Sequence, residues 1–143
     1  MKRIIIFFAF VITLAACDKV PINGDLDGMW QLTCIETKHD TTYQKNLFWQ
    51  FQLHLLQIGD VYDYFARFEN TGSELRVYQV ASGSRHEDAS QNDEPVTEKD
   101  SVHMAKLKQY GIYKTDTRFK IEELNADNMR LRSDSVCLHF RKY

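Results

Sequence analysis

Between Leu47 and Leu55 the chain places an apolar side chain at every second residue, Leu47, Trp49, Phe51, Leu53 and Leu55, with Phe48, Gln50, Gln52 and His54 between them. A helix of period 3.6 would scatter these five over several faces, whereas a strand gathers them on one. The same period runs on either side. Trp30, Leu32 and Cys34 alternate with Gln31, Thr33 and Ile35, and His39-Asp40-Thr41-Thr42 reads as a turn. Beyond a hairpin at Gly59-Asp60, Tyr62, Tyr64, Ala66 and Phe68 alternate with Val61, Asp63, Phe65 and Arg67, and Asn70 to Ser73 turns the chain into Leu75–Val80. Four consecutive antiparallel strands are therefore expected.

The pattern resumes near the end. Phe119 and Ile121, then Met129 and Leu131, then Val136, Leu138 and Phe140 alternate with polar residues across turns at Asn125–Asn128 and Ser133-Asp134. Seven or eight strands with turns every eight to twelve residues describe an all-β sandwich or barrel. Between the two halves, residues 81–100 carry Gly83, Pro95 and six acids, the composition of a long exposed loop in which disorder is the favoured reading. Met104, Leu107 and Tyr110 mark a short helical stretch, ended by Gly111.

The start of the chain gives an address. After Lys2-Arg3, the apolar run Ile4–Ala16 is thirteen residues long, against the about 20 that a spanning helix needs. A basic start, an apolar middle and small residues before a cut describe a secretory signal. Leu14-Ala15-Ala16-Cys17 resembles the lipobox of bacterial lipoprotein precursors, whose cysteine thiol receives a diacylglyceryl group before cleavage. The resemblance implies removal of residues 1–16, lipid on Cys17, and a polar tether over residues 17–27, which include Pro21 and Gly24. Two or three acyl chains would hold such a protein almost permanently at a membrane surface. The expected location is the cell envelope, at the outer membrane, on its periplasmic face or the cell surface.

Losing Lys2 and Arg3 moves the formal net charge from −2 to −4, and no basic patch speaks for nucleic acid. Mean hydropathy is −0.45 with the signal included, and no second long apolar run follows, which argues against an integral membrane domain.

Gly28-Met29-Trp30 is similar to the Gly-x-Trp that opens the first strand of lipocalins, where the indole packs across the closed end of the barrel beneath a basic residue from the last strand. Arg141 or Arg132 is the candidate for that cap. Residues 26–32 at the front, with 110–113, 119–124, 129–131 and 140–142 at the back, resemble the small lipocalin-like lipoproteins of Gram-negative bacteria. The likeness implies an antiparallel up-and-down, calycin-type barrel of about eight strands over residues 28–143, with a short helical segment. The acidic loop and its helix replace strands that a standard lipocalin would have.

An eight-stranded barrel is just wide enough to be filled by side chains or to hold one small molecule. Trp30, Trp49, Phe51, Leu53, Tyr62, Tyr64, Phe68, Phe119 and Phe140 are the inward candidates, with Trp30 structural and the rest lining. They either form an apolar pocket whose tyrosine hydroxyls orient a small hydrophobic ligand, or fill the space solid, since each aromatic buries about 150–250 Å².

With Cys17 lipidated, Cys34 and Cys137 remain as an even pair in an oxidising compartment, and a disulfide is one reading. Strict alternation opposes it, because Cys34 shares a face with the inward Trp30 while Cys137 lies opposite the inward Phe140. A bulge in either strand would restore a common side. Bonded and separate thiols both stay open.

Other chemistry finds little support. Asn23-Gly24-Asp25-Leu26-Asp27-Gly28 has the oxygen spacing of half a calcium loop, but the twelfth place is Cys34 where a bidentate glutamate is required. His39, His54, His86, His103 and His139 share no short spacing that puts two ligands on one face, so no metal is expected and the histidines read as surface residues. No Gly-x-Ser-x-Gly elbow is present, and neither an enzyme nor a cofactor is expected. Asp40-Thr41-Thr42 and Asp100-Ser101-Val102 resemble an O-glycosylation sequon of exported Gram-negative proteins. Two functions follow: a membrane-anchored barrel holding a hydrophobic guest, or a filled barrel whose loops dock on an envelope partner or inhibit an envelope enzyme.

Overall fold

The computed structural model describes residues 22–59, 63–83 and 94–143. The described residues form nine strands: β1 Gly28–Glu36, β2 Thr41–Gln52, β3 Leu55–Ile58, β4 Tyr64–Asn70, β5 Glu74–Ser82, β6 Glu94–Pro95, β7 Thr117–Leu124, β8 Asn128–Arg132 and β9 Cys137–Lys142. A single α-helix among the described residues, α1, covers Ser101–Gln109. Eight strands close a ring in the order β1-β2-β3-β4-β5-β7-β8-β9, with β9 returning to β1, and the two-residue β6 adds to the end of β5. All pairings are antiparallel. The expected closed barrel is what the alternation builds, because closure gives every one of the eight strands two neighbours and leaves no long edge.

The long alternating run is two strands and not one. β2 ends at Gln52, and Leu53-His54 form a two-residue turn that pairs Gln52 with Leu55. Leu53 takes φ 56° and is 51% exposed, so it does not line the barrel. Two-residue hairpin turns demand left-handed backbone, and nothing in Leu53-His54 announces one. The inward residues of β3 are consequently Leu56 and Ile58, both 0% exposed, and Leu55 lies on the other face.

Three bulges bend the ring. One lies between Leu32 and Cys34 in β1, one where β4 meets β5, and one between Ile121 and Glu123 in β7. In the second, Gln79 has φ 51°, and Val80 turns inward after Leu75 and Val77. Extra residues of this kind add twist and let strands curve around a closed wall.

At the end where β1 begins, a 3-10 turn at Gly24–Leu26 tucks Leu26 fully into the core. The last part of segment 17–27 thus packs on the barrel and does not hang free. Trp30 is fully buried there, its indole N–H donating to the Leu26 carbonyl at 2.8 Å. The basic cap over the ring is Lys142, whose Nζ stands 4.2 Å from the indole centroid and donates to the carbonyls of Asp25 and Asp27. Arg141 and Arg132 are not the cap. With Phe140 inward, Arg141 points out, exposed, and donates to Gln31 Oε1 at 2.8 Å, while Arg132 is exposed and pairs with Glu122.

Candidate functional site

The barrel interior is built from one aromatic residue after another. Trp49 on β2 is fully buried and meets Phe140 of β9 at 5.0 Å between ring centroids, Phe119 of β7 at 6.0 Å and Phe51 at 6.1 Å. Phe51 meets Phe68 of β4 edge to face at 5.1 Å. Offset and edge-on pairs at these separations are the favoured aromatic geometry. Of the expected lining, Trp49, Phe51, Tyr64, Phe68, Phe119 and Phe140 all face the core together with Trp30. Leu53 does not, and Tyr62 and Cys17 lie outside the described residues.

The opposite end of the barrel from Trp30 is roofed by α1. Met104, Leu107, Tyr110 and Ile112 belong to the same buried cluster as the aromatics. The helix stops where glycine permits a left-handed residue: Gly111 has φ 84°, Ile112 N–H bonds to the Leu107 carbonyl at 3.0 Å, and Gly111 N–H bonds to the Lys108 carbonyl at 3.0 Å. This pair of bonds, with Ile112 packed beside Leu107, is the Schellman ending of a helix. It drives Ile112 into the barrel, and the Tyr110 carbonyl accepts from the Trp49 indole N–H at 3.2 Å.

Polar groups fix the roof to the β3–β4 side. Asp63 accepts from Lys106 Nζ at 2.5 Å and from the Tyr110 hydroxyl at 2.9 Å, and Tyr64 Oη lies 3.0 Å from His103 Nδ1. The hydrogen bond to Asp63 raises the Lys106 pKa above its ordinary value, and burial raises that of Tyr64. The interior is therefore an apolar core with one roof and a polar seam at the join. Sequence reading identified the aromatic wall; it did not foresee α1 as a roof or Asp63 as its anchor.

A family profile described as lipocalin-like domain matches residues 12–143. This chain belongs to the lipocalin-like domain family. The lipocalin-like fold is also that of a crystal structure of a lipocalin-like protein from Bacteroides uniformis, 21% identical with a TM-score of 0.59, covering 84% of this chain and 100% of that one. An uncharacterized protein from Bacteroides eggerthii is similar at 19% identity and a TM-score of 0.60, over 82% of this chain and 99% of the other. No curated protein matches the sequence. The lipocalin-like family is in general a non-enzymatic binding fold.

Two further expectations concern the outer wall. Cys34 and Cys137 are both buried and both free, so the disulfide is not formed. The bulge after Leu32 does turn Cys34 to the outer face, where it pairs with His139 and where Cys137 pairs with Glu36. Burial pushes both thiols above the usual cysteine value. The histidine reading also needs correction, since His139 is half-buried beside these thiols and His103, on α1, is half-buried against Tyr64. Thr41 and Ser101 of the two sequons are exposed.

Proposed function

We propose that the protein is a non-enzymatic, lipid-anchored binding protein of the cell envelope, in which a small hydrophobic molecule occupies the barrel when α1 lifts from its mouth. The observation that carries this reading is the roof: a nine-residue helix closes an aromatic interior and is fixed to the wall by side chains gathered on Asp63. Leu107, Tyr110 and Ile112 are buried in the same cluster as those aromatic rings. An apolar guest would replace those three against Trp49 and Phe140, with its polar end at the seam of Tyr64, His103 and Lys106. The signal at residues 1–16 and lipid on Cys17 would place the barrel at the outer membrane.

Titration with a fluorescent fatty acid, read by quenching of tryptophan emission, tests this. Saturable uptake at one probe per chain is expected, and Asp63→Ala, which removes the acceptor of Lys106 and the Tyr110 hydroxyl, should speed both uptake and release. Absence of saturable quenching in both proteins would refute a guest.

The second reading, a filled barrel that acts through its loops on an envelope partner, draws on a specific observation: rings already lie 5.0–6.1 Å apart around Trp49 and Phe51. It predicts no uptake by either protein and co-purification of a partner with the lipid-anchored form.

A further inference from the structure

The outer wall carries a cluster that the barrel interior does not use, assembled where β1 and β9 close the ring. The bulge between Leu32 and Cys34 puts Cys34 and Glu36 on the outside of β1, and the register sets them against His139 and Cys137 of β9. One ligating atom each from Cys34, Glu36 and His139 lie within 4.8 Å of one another. His139 Nε2 is 3.2 Å from Glu36 Oε1 and 3.7 Å from Cys137 Sγ. A zinc tetrahedron with bonds of about 2.0–2.1 Å to nitrogen or oxygen and about 2.3 Å to sulfur has edges of about 3.3–3.8 Å. The two measured edges at His139 are close to that size, and Cys137 Sγ, which falls outside that group of three and lies 4.0 Å from Glu122 Oε2, joins by turning toward the ion.

We propose that Cys34, Cys137, His139 and Glu36 form a binding site for a single thiophilic divalent cation of the zinc class. The donor set is the one such an ion selects: two sulfurs and an imidazole for a borderline-soft metal, with a carboxylate to complete four. Each cysteine gives its thiol proton to solvent on binding. Two thiolates and one carboxylate around a divalent cation leave a net charge of −1. Arg130 and Arg132, opposite His139 and Cys137 in the register and paired with Glu122 and Glu123, stand beside that charge. Thr33 Oγ1 donates to the His139 carbonyl at 3.0 Å and fixes the strand that carries the imidazole. An open depression of about 270 Å³ lies beside the cluster, lined in part by Glu36, Arg132 and Cys137. A metal here would bolt the first strand to the last at the seam of the barrel, whatever the interior holds.

Cobalt and zinc titration of the full chain, purified reduced, tests the site. The expected result is one ion per chain, with the near-ultraviolet thiolate-to-cobalt band and intense visible absorption of a tetrahedral centre, and displacement of cobalt by zinc. In competition with a chromophoric chelator, Cys34→Ser and His139→Ala should weaken zinc by more than the about 10–100-fold that changes outside the ligand set cost, while His54→Ala on the distant turn should leave affinity unchanged. The wild-type spectrum needs no variant to fold, and circular dichroism checks those that are used. A chain that takes up no stoichiometric metal, a cobalt spectrum without the thiolate band, variants that bind like wild type, or native protein recovered with Cys34 and Cys137 bonded to each other would each overturn the proposal.

Discussion

The ammonium of Lys142 stands 4.2 Å above the Trp30 ring while the same indole donates its N–H to Leu26, so the first strand, the last strand and the segment before the barrel lock together at one point. A cation over tryptophan contributes about 0.5–1 kcal/mol when exposed and about 2 kcal/mol when desolvated, and Lys142 is half-buried. Lys142→Ala should lower stability by about 1–2 kcal/mol in urea unfolding, with the Asp25 and Asp27 carbonyls also losing their donor. Arg141→Ala, one residue earlier and exposed, should change it by less than about 0.5 kcal/mol. Equal losses would move the cap back to Arg141.

At the β2–β3 turn the strain is local and removable. Leu53 holds φ 56° with half its surface in water, a conformation that costs an L-residue with a branched chain about 1–2 kcal/mol. Leu53→Asn or Leu53→Gly should raise the unfolding midpoint by an amount worth up to about 1 kcal/mol. No gain in thermal unfolding would mean that the turn is not left-handed at this residue.

At Gly111 the opposite sign holds. Its φ of 84° is costly for alanine, and a Cβ there would run into the Leu138 side chain. Gly111→Ala should destabilise by about 2 kcal/mol or more, from backbone strain together with overpacking. Hydrogen exchange should show the loss concentrated in residues 101–112, where the roof would be released first.

How much of this was readable beforehand varies with the physics of each element. The alternation at Trp30–Leu32, Trp49–Phe51, Met129–Leu131 and Leu138–Phe140 stated the inward face outright, and the same parity already excluded Arg141 as a cap, since Phe140 is inward. Leu53-His54 was illegible because neither residue is a turn former, and the apolar period runs straight through it. The bulge after Leu32 leaves no mark in the sequence, yet it alone decides that Cys34 faces His139. Residues as far apart in the chain as Cys34 and His139 meet only because the barrel closes, so no local spacing rule could have grouped them.

Acid should weaken the fold through carboxylates whose pKa values folding depresses. Arg132 holds Glu122 below its ordinary 4.5, Arg76 holds Asp116 below 3.8, and the Thr97 backbone N–H holds Asp100 below 3.8. Each contribution is complete above the unfolded-state value and is lost as pH falls through the lower folded one. Stability measured in urea should therefore be flat above about pH 5 and fall below it, less steeply in Glu122→Gln. A profile unchanged by that substitution would remove Glu122 from the account.

The most direct test of the central claim is native mass spectrometry of the protein extracted from envelope membranes in mild detergent. The account predicts a chain beginning at an acylated Cys17, carrying one apolar molecule that departs on denaturation, and faster loss of that molecule from Asp63→Ala. A bare chain mass, with no guest retained and none taken up from a supplied fatty acid, would contradict it.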